Sequence, residues 1–533
     1  MKKHCSWFRA ELDCSLIQNP ASTKMKTKMT ALPLTKANSQ RLIPISLLGS
    51  LASALSLFIA PLAMSASPPC GSTITTDTTL DSDMVCSGTA ITIGADSITL
   101  DGAGHRITGD TTGGGIENSG YNYVTVKNCI VTNFNHGILF SSCSHSTVDS
   151  NTVSLNVGAG NAGGGGILFP GGSNNSLTNN TVNSNLSGGI FVSSSFSNLT
   201  SNTANSNPGI GIDIEGSNNV ITSNTANSGG NAGLKIGGGH NNVFTANTAN
   251  FNGVGIFLYA SDSNTLNSNN ASSNNGYGIW LFFSNSNIIT GNTVNSNITT
   301  GSNGYTGLNG DGIFLFFDSS NNIVGGTTPG AGNTIAFNGH NGVQVVEGQG
   351  ATGNTITQNS IFSNALLGID LGGDGVTPND PCDADNNGHD NQNYPVLYFV
   401  SSSGGMTTII GALNSTPSTS FTIEFFSNDV GDPSTFGEGQ TFIGSKPVTT
   451  GADCNVTFIA VFPVTVLASQ VVTMTATNSS GTTSEFSSWV PSPPPPPTNV
   501  NQCKNGGWQT LFRTNGTQFK NQGDCIQYVN TGK

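Results

Sequence analysis

Positive charge is what this sequence has least of. Its 533 residues hold sixteen Lys and Arg against twenty-nine Asp and Glu, a formal net charge of −13. Eight of the sixteen bases but only two of the acids, Glu11 and Asp13, precede residue 67. The remainder therefore carries eight bases and twenty-seven acids, formally −19. Such a surface repels nucleic acid and other polyanions unless cations bridge them, so no nucleic-acid partner is expected. Methionine and histidine, seven each, are sparse and unclustered, which argues against copper handling. No cysteine pair has metal-ligand spacing. Long apolar runs are also missing: the best, residues 47–60, is shorter than the roughly 20 residues a bilayer span needs. No transmembrane span is expected in the mature chain.

That run follows a basic lead (Lys26, Lys28, Lys36, Arg41) and precedes Pro61 and small residues up to Ala66. Residues 1–66 therefore read as a secretory signal cleaved near Ser65 or Ala66. The mature protein is expected to be a monomer that is secreted, extracellular or at the cell surface, with the periplasm as a further destination. Cys5 and Cys14 leave with the leader, and eight cysteines remain in a compartment that favours disulfides. Proximity pairs Cys70 with Cys86 and Cys503 with Cys525. Elimination then leaves Cys129 with Cys143 and Cys382 with Cys454.

What the chain does have is glycine, 69 residues, and a phrase that keeps returning between residues 166 and 371. It reads Gly166-Ile-Leu-Phe, Gly189-Ile-Phe-Val, Gly211-Ile-Asp-Ile, Gly233-Leu-Lys-Ile, Gly255-Ile-Phe-Leu, Gly278-Ile-Trp-Leu, Gly312-Ile-Phe-Leu, Gly342-Val-Gln-Val and Gly368-Ile-Asp-Leu. From Gly166 to Gly278 the steps are 23, 22, 22, 22 and 23 residues. The second and fourth positions are always apolar and the third and fifth vary, which is a strand with one buried face. A second apolar position follows an Asn-rich turn (Leu177, Leu199, Val243, Leu266, Ile288). A third comes after it (Val182, Ala204, Ala226, Ala249, Ala271, Val294). Three short strands cannot bury a core alone, but coils stacked about 4.8 Å apart can. Asn180, Asn202, Asn224, Asn247, Asn269 and Asn292 recur at one place in successive coils, where stacked amides bond up and down a ladder. The expected fold class is all-β: a right-handed parallel β-helix over residues 67–393.

Units such as Ser217-Asn-Asn-Val-Ile-Thr-Ser-Asn-Thr-Ala-Asn-Ser resemble the NosD-type repeats of the pectin-lyase-like superfamily. The resemblance covers about half the chain and implies the fold, not the chemistry, because that superfamily holds lyases, hydrolases, epimerases and proteins without catalysis. The N-x-D, D-D, G-H-G and R-x-K set of polygalacturonases is absent, as is the D-P-H-E of mannuronan epimerases. For lyase chemistry, residues 107–371 offer only Lys127 and Lys235 as bases.

After Gly368 an acidic loop contains Asp383, Asp385 and Asn387 before Gly388, the opening of a calcium loop that lacks its twelfth-position acid. It reads either as a structural Ca²⁺ site or as a plain acidic turn. Residues 394–490 alternate like a small antiparallel β-sandwich and resemble the Ig-like module of bacterial β-helix proteins. Residues 491–500 form a polyproline spacer. Residues 501–533 form a mini-module too small to fold without its Cys503–Cys525 staple. Its four cations (Lys504, Arg513, Lys520, Lys533) suit either an anionic cell surface or a passive tail.

The outward third and fifth strand positions make two columns. Phe257, Tyr259, Trp280, Phe282, Phe314 and Phe316 form an aromatic strip, either a sugar-stacking groove or a surface covered by the insertion at 298–311 or by the sandwich. Below it, Asp213 and Glu215 project from one strand about 6.5–7 Å apart, with Lys235 one coil above Asp213. In the catalytic reading Lys235 keeps Asp213 ionised and Glu215 is the acid of a glycosidic cleavage; in the other Asp213 and Lys235 form a surface salt bridge and Glu215 is solvated. The expected function is polysaccharide or cell-surface glycan binding along this face, with hydrolase or lyase activity open. The alternative is a non-catalytic structural or adhesive surface protein.

Overall fold

The computed structural model describes residues 66–158, 165–298, 309–346, 350–384, 391–490, 496–509, 511–513 and 517–532. The leader, most of the insertion at 298–311, Asp385, Asn387 and the first half of the polyproline spacer lie outside the described residues.

The repeats form a parallel β-solenoid. Its first sheet has thirteen strands, from Ser72–Ile74 to Ile369–Leu371, and its second has twelve, from Thr78–Thr79 to Thr355–Thr357. The third is interrupted: five strands end at Thr181–Asn183 and three begin at Thr293–Asn295. Single bridges at Thr203, Thr225, Thr248 and Asn270 join the two blocks. In those four coils the inward residue of the third sheet is Ala204, Ala226, Ala249 or Ala271, each buried.

One buried core runs the length of the coils, and the second and fourth positions of every phrase lie in it. The second sheet departs from expectation in two coils. Val243 and Ile288 point outward, and their neighbours Phe244 and Ile289 are buried instead. Phe244 and Ile289 continue the inward file of Leu199, Ile221 and Leu266, each three residues before a ladder asparagine, so the strand register is unbroken and the outward neighbours are the extra apolar residues.

The expected asparagine ladder is present, and two more accompany it. In the expected one, Asn202 donates its backbone N–H and its Nδ2 to Asn224 Oδ1, both at 2.9 Å, and Asn224 does the same to Asn247 at 2.9 and 3.0 Å. The second ladder precedes the second sheet (Asn242 to Asn264 to Asn287 to Asn322), and the third follows the third sheet (Asn274 to Asn297 to Asn338 to Asn364). The residue before each amide of the expected ladder is left-handed, as at Asn179 (φ 54°), Ser223 (φ 56°) and Ala246 (φ 54°). That conformation costs about 1–2 kcal/mol for a residue with a Cβ. Buried amides that satisfy both neighbouring turns offset it.

Two three-stranded antiparallel sheets follow, sharing a core of Leu397, Ile423, Phe425, Phe458 and Met474. This unit also stops the solenoid. Phe426 and Phe486 join the solenoid core, and Gly439 pairs antiparallel with Ile361 in its last coil. Three buried glutamates take the terminal N–H groups that a next coil would otherwise take. Glu485 accepts from Leu371 at the end of the first sheet (3.0 Å), and Glu424 accepts from Gln358 after the second (3.0 Å). Glu438 accepts from Ser363 and Asn364 after the third. An open solenoid edge is a template for unwanted strand addition, and here it is covered.

Three of the expected disulfides are formed: Cys70–Cys86, Cys382–Cys454 and Cys503–Cys525. The fourth is not, since Cys129 and Cys143 are buried free thiols. Cys129 stands at the base of the expected ladder, its N–H donating to Asn151 Oδ1, whereas Cys143 lies in the turn between the first and second sheets. The two occupy different corners of the coil, so their side chains cannot meet at bonding geometry.

The C-terminal module packs Phe519 against its disulfide and carries, among its described residues, a short 3-10 helix, Gly507–Gln509, and an α-helix, Gln522–Thr531, capped by Asn521. Arg513 pairs with Asp524 at 2.6 Å and lies over Phe519, so one of the four expected surface cations is occupied internally.

Candidate functional site

The third-position column stacks in register, residue on residue: Phe191, Asp213, Lys235, Phe257, Trp280, Phe314, Gln344 and Asp370. Because a parallel ladder fixes each residue directly over the one a coil below, like side chains form files. Phe257 stacks on Trp280 with centroids 4.5 Å apart, and Trp280 on Phe314 at 6.4 Å. Beside them Tyr259 stacks on Phe282 at 5.7 Å, and Phe282 meets Phe316 at 5.8 Å.

The six predicted rings therefore come together, but unevenly. Phe282 and Phe314 are buried, Phe257, Trp280 and Phe316 are half-buried, and Tyr259 is exposed. Three further rings enlarge the strip. Tyr277 lies 4.6 Å from Phe314, and Phe283 stacks on Phe317 at 5.5 Å. The sequence signal for the latter was available: the doublets Phe282-Phe283 and Phe316-Phe317 recur at one register. Tyr277 carried none, since the position before the phrase glycine varies in type.

At one end of the strip Lys235 Nζ sits 3.0 and 3.2 Å from the two Asp213 oxygens and 3.9 Å from Glu215 Oε1. The predicted cluster is assembled, with its two carboxylates unequally exposed. The Asp213 side chain is only 5% exposed, and its burial pushes the carboxyl up to about 6 against the opposing charge of Lys235. Glu215 is the carboxyl that faces outward, with a side chain 43% exposed. Cleavage by a carboxyl pair needs both groups at the scissile bond, whereas here one is presented and the other lies beneath Lys235.

At the other end is a second cluster that the phrase pattern did not reveal. The Asp311 carboxylate, fully buried, accepts from His340 Nδ1 at 2.6 Å and from the Asn341 backbone at 2.9 Å. With its amide nitrogen turned inward, Gln344 donates to the same carboxylate at 2.9 Å. Asn341 Nδ2 donates to Asp370 Oδ2 at 2.9 Å, and Gly373 donates to Asp370 Oδ1 at 3.0 Å. The Asp311 carboxylate holds the His340 imidazole above its ordinary pKa, and burial raises that of Asp370. Asp311, Asn341 and Tyr277 all directly precede a phrase glycine, a column set beside the strand rather than on it.

Of the residues expected to hold Ca²⁺, Asp383 is described and Asp385 and Asn387 are not. The Asp383 carboxylate accepts from the Asn393 backbone and from Ser415 Oγ, both at 2.8 Å, and so fastens the loop to the two-sheet unit.

The family model for the right handed beta helix region matches residues 77–217, 165–326 and 211–387. No curated protein matches the chain in sequence. Among solved structures, the A-module of a mannuronan C-5 epimerase from Azotobacter vinelandii is 15% identical, covering 58% of this chain and 91% of its own, with a TM-score of 0.45. The Dettilon tailspike protein is 16% identical, covering 71% and 87%, at 0.40. PfbA, a surface adhesin of Streptococcus pneumoniae, is 10% identical, covering 62% and 90%, at 0.42.

Proposed function

We propose that this chain, which belongs to the right-handed β-helix family, is an exported glycan-binding protein that holds a polysaccharide along the outer face of its first sheet. The observation that carries this reading is the file of rings. Phe257, Trp280 and Phe314 stack up the solenoid axis with Tyr259 exposed beside them, and ionisable clusters stand at both ends. Aromatic faces aligned along an axis suit a linear polymer whose sugar rings each present an apolar face. The carboxylates and His340 supply the polar contacts that fix orientation. Disulfides support a place outside the cell.

The second reading, a structural or adhesive role, is favoured by the burial of Phe282 and Phe314, which makes part of the strip a packing element. A glycan-array screen of the purified chain with Tyr259→Ala and Trp280→Ala in parallel separates the two. Binding that falls tenfold or more in both variants supports the groove. A folded chain that binds no glycan refutes it. Reducing-end and unsaturated-uronate assays on every hit, repeated with Glu215→Gln, test for cleavage.

A further inference from the structure

We infer that the polymer this face accepts is uncharged, and that its hydroxyls rather than any acidic groups are what the exposed Glu215 would grip. The inference rests on the glycan-binding reading and adds the substrate class. Its basis is the charge on the first sheet. Among the described residues, Lys235 is the one Lys or Arg on a strand of that sheet, and it is already held between Asp213 and Glu215. At the far end His340 is turned onto Asp311. Every cation on the face thus has a carboxylate partner, while Glu215 and Asp370 add negative charge of their own. A uronate polymer carries a carboxylate on each sugar and would meet like charge at both ends of the strip, with no unpaired cation between.

An uncharged sugar meets no such penalty. Its hydroxyls donate to carboxylate oxygens, and ionised acceptors make stronger hydrogen bonds than neutral ones. Glu215 presents an outward carboxylate two coils from Tyr259 and three from Phe282, so a polymer stacked on the exposed tyrosine has an acceptor about 10 Å further along the same face. Glu215 reads as a hydroxyl acceptor beside the stacking surface, whereas the carboxylates of Asp213, Asp311 and Asp370 are buried and already partnered. The spacing is set by the solenoid, about 4.8 Å per coil.

The test compares neutral polymers (a soluble β-glucan, a galactomannan, an arabinan) with polymannuronate and polygalacturonate by affinity electrophoresis of the intact chain. Runs are made at 20 and 150 mM NaCl, in EDTA and in Ca²⁺. The expected result is retardation by at least one neutral polymer, unchanged by salt or EDTA and weakened at least tenfold in Tyr259→Ser and severalfold in Glu215→Gln. Both positions are exposed enough that the variants keep their fold, which a melting curve verifies. Retardation by a uronate in EDTA, stronger at low salt, overturns the uncharged-substrate inference and leaves glycan binding standing. So does retardation by a uronate only in Ca²⁺, which would make the carboxylates a cation bridge. A folded chain that no polymer retards overturns both readings.

Discussion

Glu438 of the two-sheet unit accepts from both the backbone N–H and the Nδ2 of Asn364, at 2.8 and 2.9 Å, and so stands where a further ladder asparagine would be. A carboxylate can accept from the coil below without donating to a coil above, which makes it a terminator. Glu438→Ala leaves the Ser363 and Asn364 amides without acceptors and should destabilise the end of the solenoid by about 2–3 kcal/mol. Glu438→Gln, which keeps one acceptor oxygen, should cost less. Urea unfolding of the two variants checks the order, and hydrogen exchange at residues 360–364 should accelerate in Glu438→Ala alone.

The same cap makes stability depend on pH. Burial raises Glu485 to about 8, with Asp370 and Tyr394 as its titratable neighbours, and it raises Glu424 and Glu438 as well. A carboxyl whose folded pKa exceeds its unfolded value contributes most below the unfolded pKa, near 4.5, and loses that contribution as pH climbs toward the folded one. The melting temperature should therefore fall between pH 5 and pH 8.5. Glu485→Gln should flatten the profile over that window. An unchanged slope in the variant would assign the dependence to other groups.

The solenoid was legible because its periodicity is local: one glycine phrase repeated at 22 or 23 residues specifies strand, face and stacking together. The files on the outer face followed from the same register, which is why Asp213 and Lys235 could be paired and the rings lined up. What the phrase could not convey lies off its period. Val243 and Phe244 are both apolar, and the register set by the stacked coils, three residues before the ladder asparagine, decides which turns in. Asp311 and His340 precede the phrase by one and two residues, at positions whose residue type changes from coil to coil. Glu438 meets Asn364 across 74 residues, a contact that no local pattern announces. The unequal exposure of Asp213 and Glu215 has the same origin, because burial is a property of the assembled face.

The free cysteines give a chemical test of the register. Burial pushes the Cys129 thiol up to about 12 and raises that of Cys143. Neither should react with a thiol reagent in the folded chain. The unfolded, unreduced chain should release two thiols from residues 129 and 143. Release of none would mean that these corners of the coil lie close enough to bond.

The ladders carry the last prediction, because they set how far damage travels. Asn224 Oδ1 accepts from Asn202 N and Nδ2, and its Nδ2 donates to Leu199 O at 2.9 Å and to Asn247 Oδ1 at 3.0 Å. Asn224→Ala strips partners from the coils on both sides at once and should cost about 3–5 kcal/mol, since each buried group left unsatisfied costs about 1–3. Thr222→Ala, two residues away on the outer face, should stay within about 0.5 kcal/mol. In a solenoid each coil contacts only its neighbours, so the loss should stay local. Amide exchange in Asn224→Ala should accelerate around residues 199–203 and 221–226 and keep its rate near Thr334. Uniform acceleration along the chain would show instead that the coils unfold as one unit, with the cap rather than the ladder setting their stability.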